Sequence, residues 1–598
     1  MKRWGRLLPF WLFFALSAVA QQAGNAAAPA QAPATQPATA QPATIQPVSQ
    51  PVSGTSGATV AHAAVETPAR VPVSVDQVVD AIITREHALI EYLKTRTPVI
   101  ETYLQNLQPD TKMGATPKED HYFLSRLDLS DIVDRRDYLT KQVSFQRTLM
   151  GGVSKLFRIQ YQPMGFSWMI FADRQNFDRN HYDFRYMRRE FLGEVKCLVF
   201  EVTPKKNAGT GLFKGQIWVE DQDYNIVRLN GTYWPRPRNA YYFHMDSWRL
   251  NLIPGYWIPA YIYSEEGDFS YGSKDKLAFK AQSRIWGYDV TKNNREDELT
   301  DLKVEAVNDV SPTAQDLSPL EAQRAWQQQA EDNVVSRLQQ AGLLAPPGDV
   351  DKVLQTVVNN IMITNNIDLP RPVRARVMVT YPLETFSVGN TIVVSRGLID
   401  TLPDEASLAA ILSHELAHIV LGHNLGSKYA FTDRMLFSDE STYQNLGFRH
   451  NPEEETAADA KAVELLKNSP YAQKLASPGL YLKQLQALAP KLSALLTAHL
   501  GNSMADDKGN ITRLSTLETS APVLDESKPD QIAALPLGGR IKLDPWQDKV
   551  EMIKAAPVSI TSARDKMPFE VTPFFPRLTR LTTATSEQTN GQTTQAQN

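Results

Sequence analysis

Two histidines and a glutamate stand at a spacing that suits a hydrolytic metal centre. His414 and His418 are four residues apart, and Glu415 directly follows the first of them. Positions four apart lie on one face of a helix, so both imidazoles can point at one ion while Glu415 faces the same cleft. A catalytic zinc ion takes three protein ligands and one water, whose proton a neighbouring carboxylate can accept. The pattern therefore predicts a zinc site with Glu415 as general base.

The residues around this pentapeptide predict a buried helix. Asp404 and Glu405 suit its first turn, and Gly422 suits its end. An apolar stripe at helical spacing is formed by Leu408, Ile411, Leu412, Leu416, Ile419 and Val420. The alternative is a solvated helical face that happens to carry two histidines. The stripe favours a helix whose histidines lie at a core-lined wall.

A second helix is predicted to bring the third ligand. Asn451-Pro452-Glu453 provides an N-cap, a proline at the first helical position and an acid in the first turn, and the helix runs to about Lys467. Glu455 and Asp459 then lie four apart on one face, with the small residues Ala457 and Ala458 between them. We expect Glu455 to reach the ion. We expect Asp459 to accept the free N–H of a ligand histidine and fix its tautomer.

Three neighbouring polar residues have simpler interpretations. Glu453 and Glu454 are expected to be solvated acids favoured by the helix dipole, and the same explanation is the alternative for Glu455. His423 directly follows a glycine, one position short of the spacing seen in metzincins. We therefore expect His423 to support a ligand or cap the helix end, with direct metal contact as the alternative.

The combination His414-Glu415-x-x-His418 and Glu455-x-x-Ala458-Asp459 resembles metallopeptidase family 48, a family of zinc endopeptidases. The stretch from Phe386 to Leu412 is also similar to the strand, turn and helix start of that family, and the resemblance covers roughly residues 318–500. It implies a mostly helical zincin-type domain with a small sheet. It also implies one Zn²⁺ per chain on His414, His418 and Glu455, with Glu415 as base.

The resemblance implies a substrate strand and leaves one role open. The strand Thr391, Ile392, Val393, Val394 and Ser395 would lie at the cleft edge and pair with an extended peptide. The usual Asn-Ala-Phe of the family is Glu384-Thr385-Phe386 here, and the usual downstream His-Pro…Arg element is not cleanly present. His499 and Arg513 are the nearest candidates for the residue that steadies the oxyanion.

The two ends of the chain differ in composition from its middle. Lys2, Arg3 and Arg6, an apolar run and an Ala-x-Ala site predict a signal peptide over residues 1–20, with an uncleaved anchor as the alternative. We therefore expect export to the periplasm or secretion. Residues 21–70 are rich in Ala, Pro, Gln and Thr and are predicted to be a disordered linker. A similar polar tail covers residues 582–598.

Residues 71–300 are predicted to form an antiparallel, curved β-rich domain behind one helix. Ser74 and Gln77 suggest a capping box, with a helical stretch reaching about Leu107. Aromatic and β-branched runs follow: Leu156–Tyr161, Ser167–Phe171, Cys197–Val202, Gly215–Val219, Ile226–Tyr233, Tyr241–Trp248, Tyr256–Tyr263 and Ala278–Ile285. This region weakly resembles periplasmic lipoprotein-carrier half-barrels, which implies a cavity for acyl chains or an extended polypeptide. Its tryptophans either line such a cavity or, as we favour, form core.

The peptidase region is predicted as residues 318–500, and the whole chain as an α+β protein. Helices are expected over 318–340, 350–365 and 478–500, and strands over 373–379 and 391–395. Residues 501–581 should form a C-terminal extension that packs on the body, with Trp546 and Phe574-Phe575 as anchors.

Composition narrows the classes of function and partner. The formal net charge is −4 with no long basic run, which argues against nucleic acid as a partner. The single cysteine, Cys197, excludes an intrachain disulfide. We expect an exported zinc endopeptidase for protein or peptide substrates, acting in quality control of unfolded or misassembled envelope proteins, with peripheral membrane or lipoprotein contact. The alternative is a lipid- or unfolded-polypeptide-binding protein whose metal domain is chaperone-like and weakly proteolytic. The sequence does not specify the oligomeric state.

Overall fold

The structure is a computed structural model. It describes residues 74–110, 114–130, 134–138, 163–235, 242–271, 275–288, 319–423, 439–506, 508–524, 541–544, 549–552 and 578–581. The expected signal peptide, linker and polar tail, the strand at 156–161 and the aromatic anchors at 546 and 574–575 lie outside these residues. The described residues belong to one unit that spans 71–598. No helix among them combines the length and apolar character needed to cross a membrane.

The N-terminal half forms one antiparallel sheet of ten strands, preceded by helix α1 (Val75–Lys94). Its strands are β1 (Val99–Asp110), β2 (Gly114–Asp128), β3 (Asp134–Asp137), β4 (Tyr182–Leu192), β5 (Val195–Pro204), β6 (Leu212–Glu220), β7 (Ile226–Trp234), β8 (Met245–Ile253), β9 (Tyr256–Tyr271) and β10 (Asp275–Trp286). Their order in the sheet is β3-β2-β1-β10-β9-β8-β7-β6-β5-β4. The expected α+β class with an antiparallel β-rich half is confirmed.

Two local predictions in this half are wrong. The first helix begins as expected, with Ser74 accepting a hydrogen bond from the Gln77 N–H, but it ends at Lys94. Pro98 disfavours helical backbone at the residue before it, and the following residues alternate between the two sheet faces as strand β1. The run Ser167–Phe171 is not a strand: helix α2 (Pro163–Trp168) covers its start.

The two faces of the sheet pack against different parts of the chain. One face covers α1 and forms a hydrophobic cluster from residues such as Ile82, Leu89, Ile100, Leu104, Phe200, Leu229 and Ile262. The other face carries Tyr103, Trp218 and Trp248 and shares a cluster with the C-terminal helical region. Trp218 and Trp248 are thus core residues, as favoured from the sequence. Cys197 is also buried there, and burial raises the pKa of its thiol to about 12.

The C-terminal half is mostly helical, with a small sheet, as the resemblance implied. Its helices are α3 (Pro319–Gln340), α4 (Asp349–Thr364), α5 (Arg396–Thr401), α6 (Glu405–Leu421), α7 (Asp439–Asn445), α8 (Pro452–Lys467), α9 (Ala476–Leu488), α10 (Ser493–Leu496) and α11 (Ser515–Ser520). Its strands are β11 (Arg374–Met378), β12 (Thr385–Val388) and β13 (Thr391–Ser395), with a separate hairpin of β14 (Ile541–Asp544) and β15 (Lys549–Met552). The helix expected over 478–500 is divided into α9 and α10, with Pro490 between them.

Charged side chains cross from the large sheet to the helical region while remaining buried. Glu101 of β1 accepts hydrogen bonds from Arg284 Nε at 3.1 Å and from the Tyr381 N–H at 2.6 Å. Asp120 of β2 accepts from the Ala494 and Leu495 N–H groups at the start of α10, both at 2.8 Å. The sheet is therefore joined to the helical region by specific polar contacts as well as by apolar packing.

Candidate metal centre

Helix α6 holds the two histidines rigidly and away from solvent. Asp404 caps its first turn by accepting from the Ser407 N–H at 2.8 Å, and Gly422 ends it in the left-handed conformation with φ 68°. Between these caps the helix is almost entirely buried, and His414 and His418 are each only 1% exposed. The expected apolar stripe thus sets both imidazoles in the protein interior.

The structure brings His414, His418 and Glu455 together in a triangle. The two Nε2 atoms are 3.2 Å apart, and each lies 3.3 Å from one oxygen of the Glu455 carboxylate. Ligands that bind one tetrahedral ion at about 2.0–2.2 Å lie about 3.3 Å from one another. Two imidazoles and one carboxylate also form a donor set typical of catalytic zinc. The three side chains therefore fit a zinc ion in both geometry and chemistry.

Helix α8 delivers the carboxylate of this triangle. Asn451 caps it by accepting from the Glu454 N–H at 2.8 Å, and Pro452 opens the helix. The small residue that permits close approach to α6 is Ala458, which is fully buried, while Ala457 is exposed. Asp459, one turn beyond Glu455, lies 2.8 Å from His414 Nδ1 and also accepts from the Leu514 N–H. This contact presents His414 Nε2 to the triangle.

The electrostatics of the cluster match a site that attracts a cation. Burial lowers the pKa of His414, but Asp459 and Glu455 outweigh burial and raise it to about 9. Burial acts to raise the pKa of Glu455, yet hydrogen bonds from His414 and His418 and the charge of Arg513 hold it well below its usual range. The cluster therefore keeps Glu455 ionised beside the positive charge of Arg513 and of protonated histidine. A divalent ion can supply positive charge at the same place.

Arg513, not His499, joins the cluster. Its Nη1 lies 3.0 Å from Glu415 Oε1 and 3.3 Å from the carbonyl oxygen of Thr385. The ring of His499 instead stacks on Tyr122 of β2, with the ring centroids 5.3 Å apart, and burial lowers its pKa to about 4. Of the two candidates for steadying an oxyanion, the structure thus places only Arg513 beside the predicted base.

Two further histidines surround His418. Its Nδ1 lies 2.9 Å from Nδ1 of His423, a hydrogen-bond distance shorter than the separation of two ligands on one ion. His450 stacks on the His418 ring at a centroid distance of 3.9 Å and lies 3.1 Å from Glu454. Sequence reasoning missed His450, although its place directly before the N-cap of α8 was a signal. His423 thus lies within hydrogen-bond distance of His418, and His450 packs against the His418 ring.

The expected substrate strand is not an edge strand. The segment Thr391, Ile392, Val393, Val394 and Ser395 is β13, which lies between β11 on one side and β12 on the other. A strand in the middle of a sheet has both sets of backbone groups paired, so it cannot accept a peptide. The edge strand beside α6 is β12. This error has a plain origin, because the sequence revealed the strand but not its partners.

Comparisons with known proteins found one family match and several similar solved structures. Residues 350–438 match Peptidase family M48, a span that contains β12, β13 and α6. Among solved structures, a LolA superfamily protein from Nitrosomonas europaea is 10% identical, with a TM-score of 0.20, and the match covers 36% of this chain and 93% of that one. A DUF1329 family protein from Desulfovibrio piger is 14% identical, with a TM-score of 0.20, over 38% of this chain and 99% of that one. No curated protein matches the chain. Residues 350–438 are thus similar to a metallopeptidase family.

Proposed function

We propose that this protein is a zinc-dependent endopeptidase. The observation that carries the proposal is the triangle of His414 Nε2, His418 Nε2 and the Glu455 carboxylate, with sides of 3.2 and 3.3 Å. His414, His418 and Glu455 would hold the ion, and Asp459 would hold His414 in position. A bound zinc ion lowers the pKa of a coordinated water and polarises the scissile carbonyl.

The remaining steps belong to side chains of this chain. Glu415 is one position after a ligand, so its carboxylate can accept the proton of the attacking water and deliver it to the leaving amine. Arg513 holds Glu415 through the 3.0 Å contact and presents a fixed cation beside the reaction centre. We assign Arg513 the role of stabilising the charge that develops on the carbonyl oxygen, which a preorganised donor in a buried site does efficiently.

The proposed substrates are polypeptides in extended conformation. β12 is an edge strand that contacts α6, and the backbone groups of an edge strand recognise any sequence that can pair with it. The predicted signal peptide supports export to the periplasm or secretion. With that location, unfolded or misassembled envelope proteins are the substrates we propose, in keeping with the metallopeptidase family that the chain matches.

The test compares two glutamine variants of the zinc-loaded protein. Glu415→Gln keeps the size of the side chain and its contact with Arg513 but removes the base. We expect it to bind one zinc per chain and to lose at least about 10²-fold in kcat on casein or a quenched peptide. The control is Glu453→Gln in the exposed first turn of α8, which should leave kcat unchanged.

Metal content measured in parallel separates loss of the base from loss of the ion. If the wild type cleaves nothing that Glu415→Gln does not also cleave, the endopeptidase proposal is wrong. The lipid- or polypeptide-binding alternative would then be favoured.

A further inference from the structure

The outer edge of β12 is defined by the register of its hairpin with β13. Val388 pairs with Thr391 across a two-residue turn, and Phe386 pairs with Val393. The Ser395 N–H donates to the Glu384 carbonyl oxygen at 3.0 Å, which continues the hydrogen-bonded series 384, 386 and 388. In an antiparallel pair the residues between these point their N–H and C=O groups away from the partner. Thr385 and Ser387 therefore face the position that an added strand would take.

A segment of the same chain lies at that position. We call residues 498–501 the cover segment. A methyl group added to Gly501 would lie only 2.6 Å from the Thr385 carbonyl oxygen and 3.1 Å from Phe386 Cβ. The backbone at Gly501 is thus already in contact with the outward-facing part of β12. All four residues of β12 are buried, including Thr385 and Ser387. A peptide strand cannot pair with this edge while the cover segment occupies it.

The cover segment is fastened from both sides. The Glu384 carboxylate accepts hydrogen bonds from the His499 N–H at 2.9 Å and the Leu500 N–H at 3.0 Å. On the other side, Arg449 donates through Nε to the Gly501 carbonyl oxygen and through Nη2 to that of Ala498, both at 3.2 Å. These contacts hold four backbone groups of the cover segment: the N–H groups of His499 and Leu500 and the carbonyl groups of Ala498 and Gly501.

A further contact joins the cover segment to the loop before the metal-site helix α8. The Phe448 N–H donates to the Leu500 carbonyl oxygen at 2.6 Å, and the Phe448 ring stacks on Phe386 of β12 with centroids 4.6 Å apart. Phe448 therefore packs on β12 itself and binds the segment that covers its edge. The loop, the cover segment and β12 form one interlocked layer beside the candidate metal centre.

We propose that the cover segment makes this a latent peptidase. Substrate gains access to β12 only when residues 498–501 leave it, which requires release of the Glu384 and Arg449 contacts. Glu384 fixes the cover segment through the two N–H groups that its carboxylate binds. The inference rests on the proposed peptidase function for its consequence, but its structural content is independent of catalysis.

The test uses two single-methyl substitutions in the full-length, zinc-loaded protein. Gly501→Ala places a methyl group against the backbone of Thr385, where no side-chain rotation can relieve the contact. Gly447→Ala is the control, because a methyl group there meets nothing within 4 Å. If the closed form outweighs the open form about ten to one, Gly501→Ala should raise kcat/KM on a quenched peptide about tenfold. Gly447→Ala should match the wild type.

Hydrogen exchange of the Thr385 and Ser387 amides provides a readout that does not need activity. We expect faster exchange in Gly501→Ala than in the wild type or Gly447→Ala. Arg449→Gln, which removes the bidentate contact, should show the same two effects if Gly501→Ala folds poorly. Unchanged exchange in folded variants, or unchanged kcat/KM where the wild type is active, would overturn the inference. If neither the wild type nor any variant cleaves peptide but exchange still rises, the latent edge stands and the peptidase proposal fails.

Discussion

At the scale of single residues, the members of the candidate metal site could be predicted because spacing on a helix fixes direction. His414 and His418 must share a face, and so must Glu455 and Asp459 on the second helix. What joins the two helices is not local, so the pairing of Asp459 with His414 was an inference that needed the fold. Arg513 lies far from these residues in sequence, and His450 lies in the loop before α8. The position of His450 directly before the N-cap of α8 was a signal for it, whereas nothing in the neighbourhood of Arg513 determined that it would contact Glu415.

The contact between Asp459 and His414 makes a prediction about metal affinity. In the wild type the Asp459 carboxylate contacts both His414 Nδ1 and the Leu514 N–H. In Asp459→Asn the amide NH₂ group must therefore face at least one of these two donors. Loss of such an orienting carboxylate costs about 10- to 100-fold in zinc affinity. Competition with a chromophoric chelator measures this. Glu464→Gln, an exposed position on the same helix, should bind zinc as the wild type does, and equal affinity in the two variants would show that Asp459 does not orient the ligand.

At the scale of elements, helices α6 and α8 were predictable from their caps and apolar periodicity. Strand β1 was not, because its first residues follow a long helical pattern and the sequence gives only one clear break, at Pro98. The place of β13 in its sheet was mistaken for a related reason. Pairing between β11 and β13 is parallel and passes over β12, which lies between them in sequence, so a single sequence shows each strand but not the order of the sheet.

The contact between β2 and α10 predicts a pH dependence of stability. Burial raises the pKa of Asp120 from 3.8 to about 6, although the Ala494 and Leu495 N–H groups act to lower it. The folded state therefore binds this proton more tightly than the unfolded state does. Its stabilising contribution is complete below about pH 4 and is lost as pH rises through about 6.

Asp120→Asn should remove this component. The unfolding free energy of the variant minus that of the wild type should rise by about 2 kcal/mol between pH 4 and pH 6.5. Denaturant titrations at several pH values measure the difference, and Asp349→Asn on an exposed helix start provides the control. A difference that does not vary with pH would show that Asp120 titrates as an ordinary surface carboxylate.

At the scale of the whole molecule, the two halves were expected as separate domains at residues 71–300 and 318–500. In the structure they share one hydrophobic cluster, and buried charges such as Glu101 and Asp120 reach from the sheet into the helical region. Composition and periodicity identify each half, but they carry no information on how one surface fits another. The division into two domains stays a prediction from the sequence.

The architecture also links the large sheet to the cover segment. Asp120 of β2 holds the start of α10, and the residues after α10 are the cover segment itself. The Leu383 N–H, directly before Glu384, donates to the Leu495 carbonyl oxygen at 2.8 Å. The β-rich half therefore supports the segment that lies on the edge of β12.

The most direct test of the central claim is anomalous diffraction at the zinc edge from crystals of the zinc-loaded protein. The account predicts one strong peak per chain, about 2.0–2.2 Å from His414 Nε2, His418 Nε2 and a Glu455 oxygen. A principal peak among His418, His423 and His450, or no peak at saturating zinc, would contradict it.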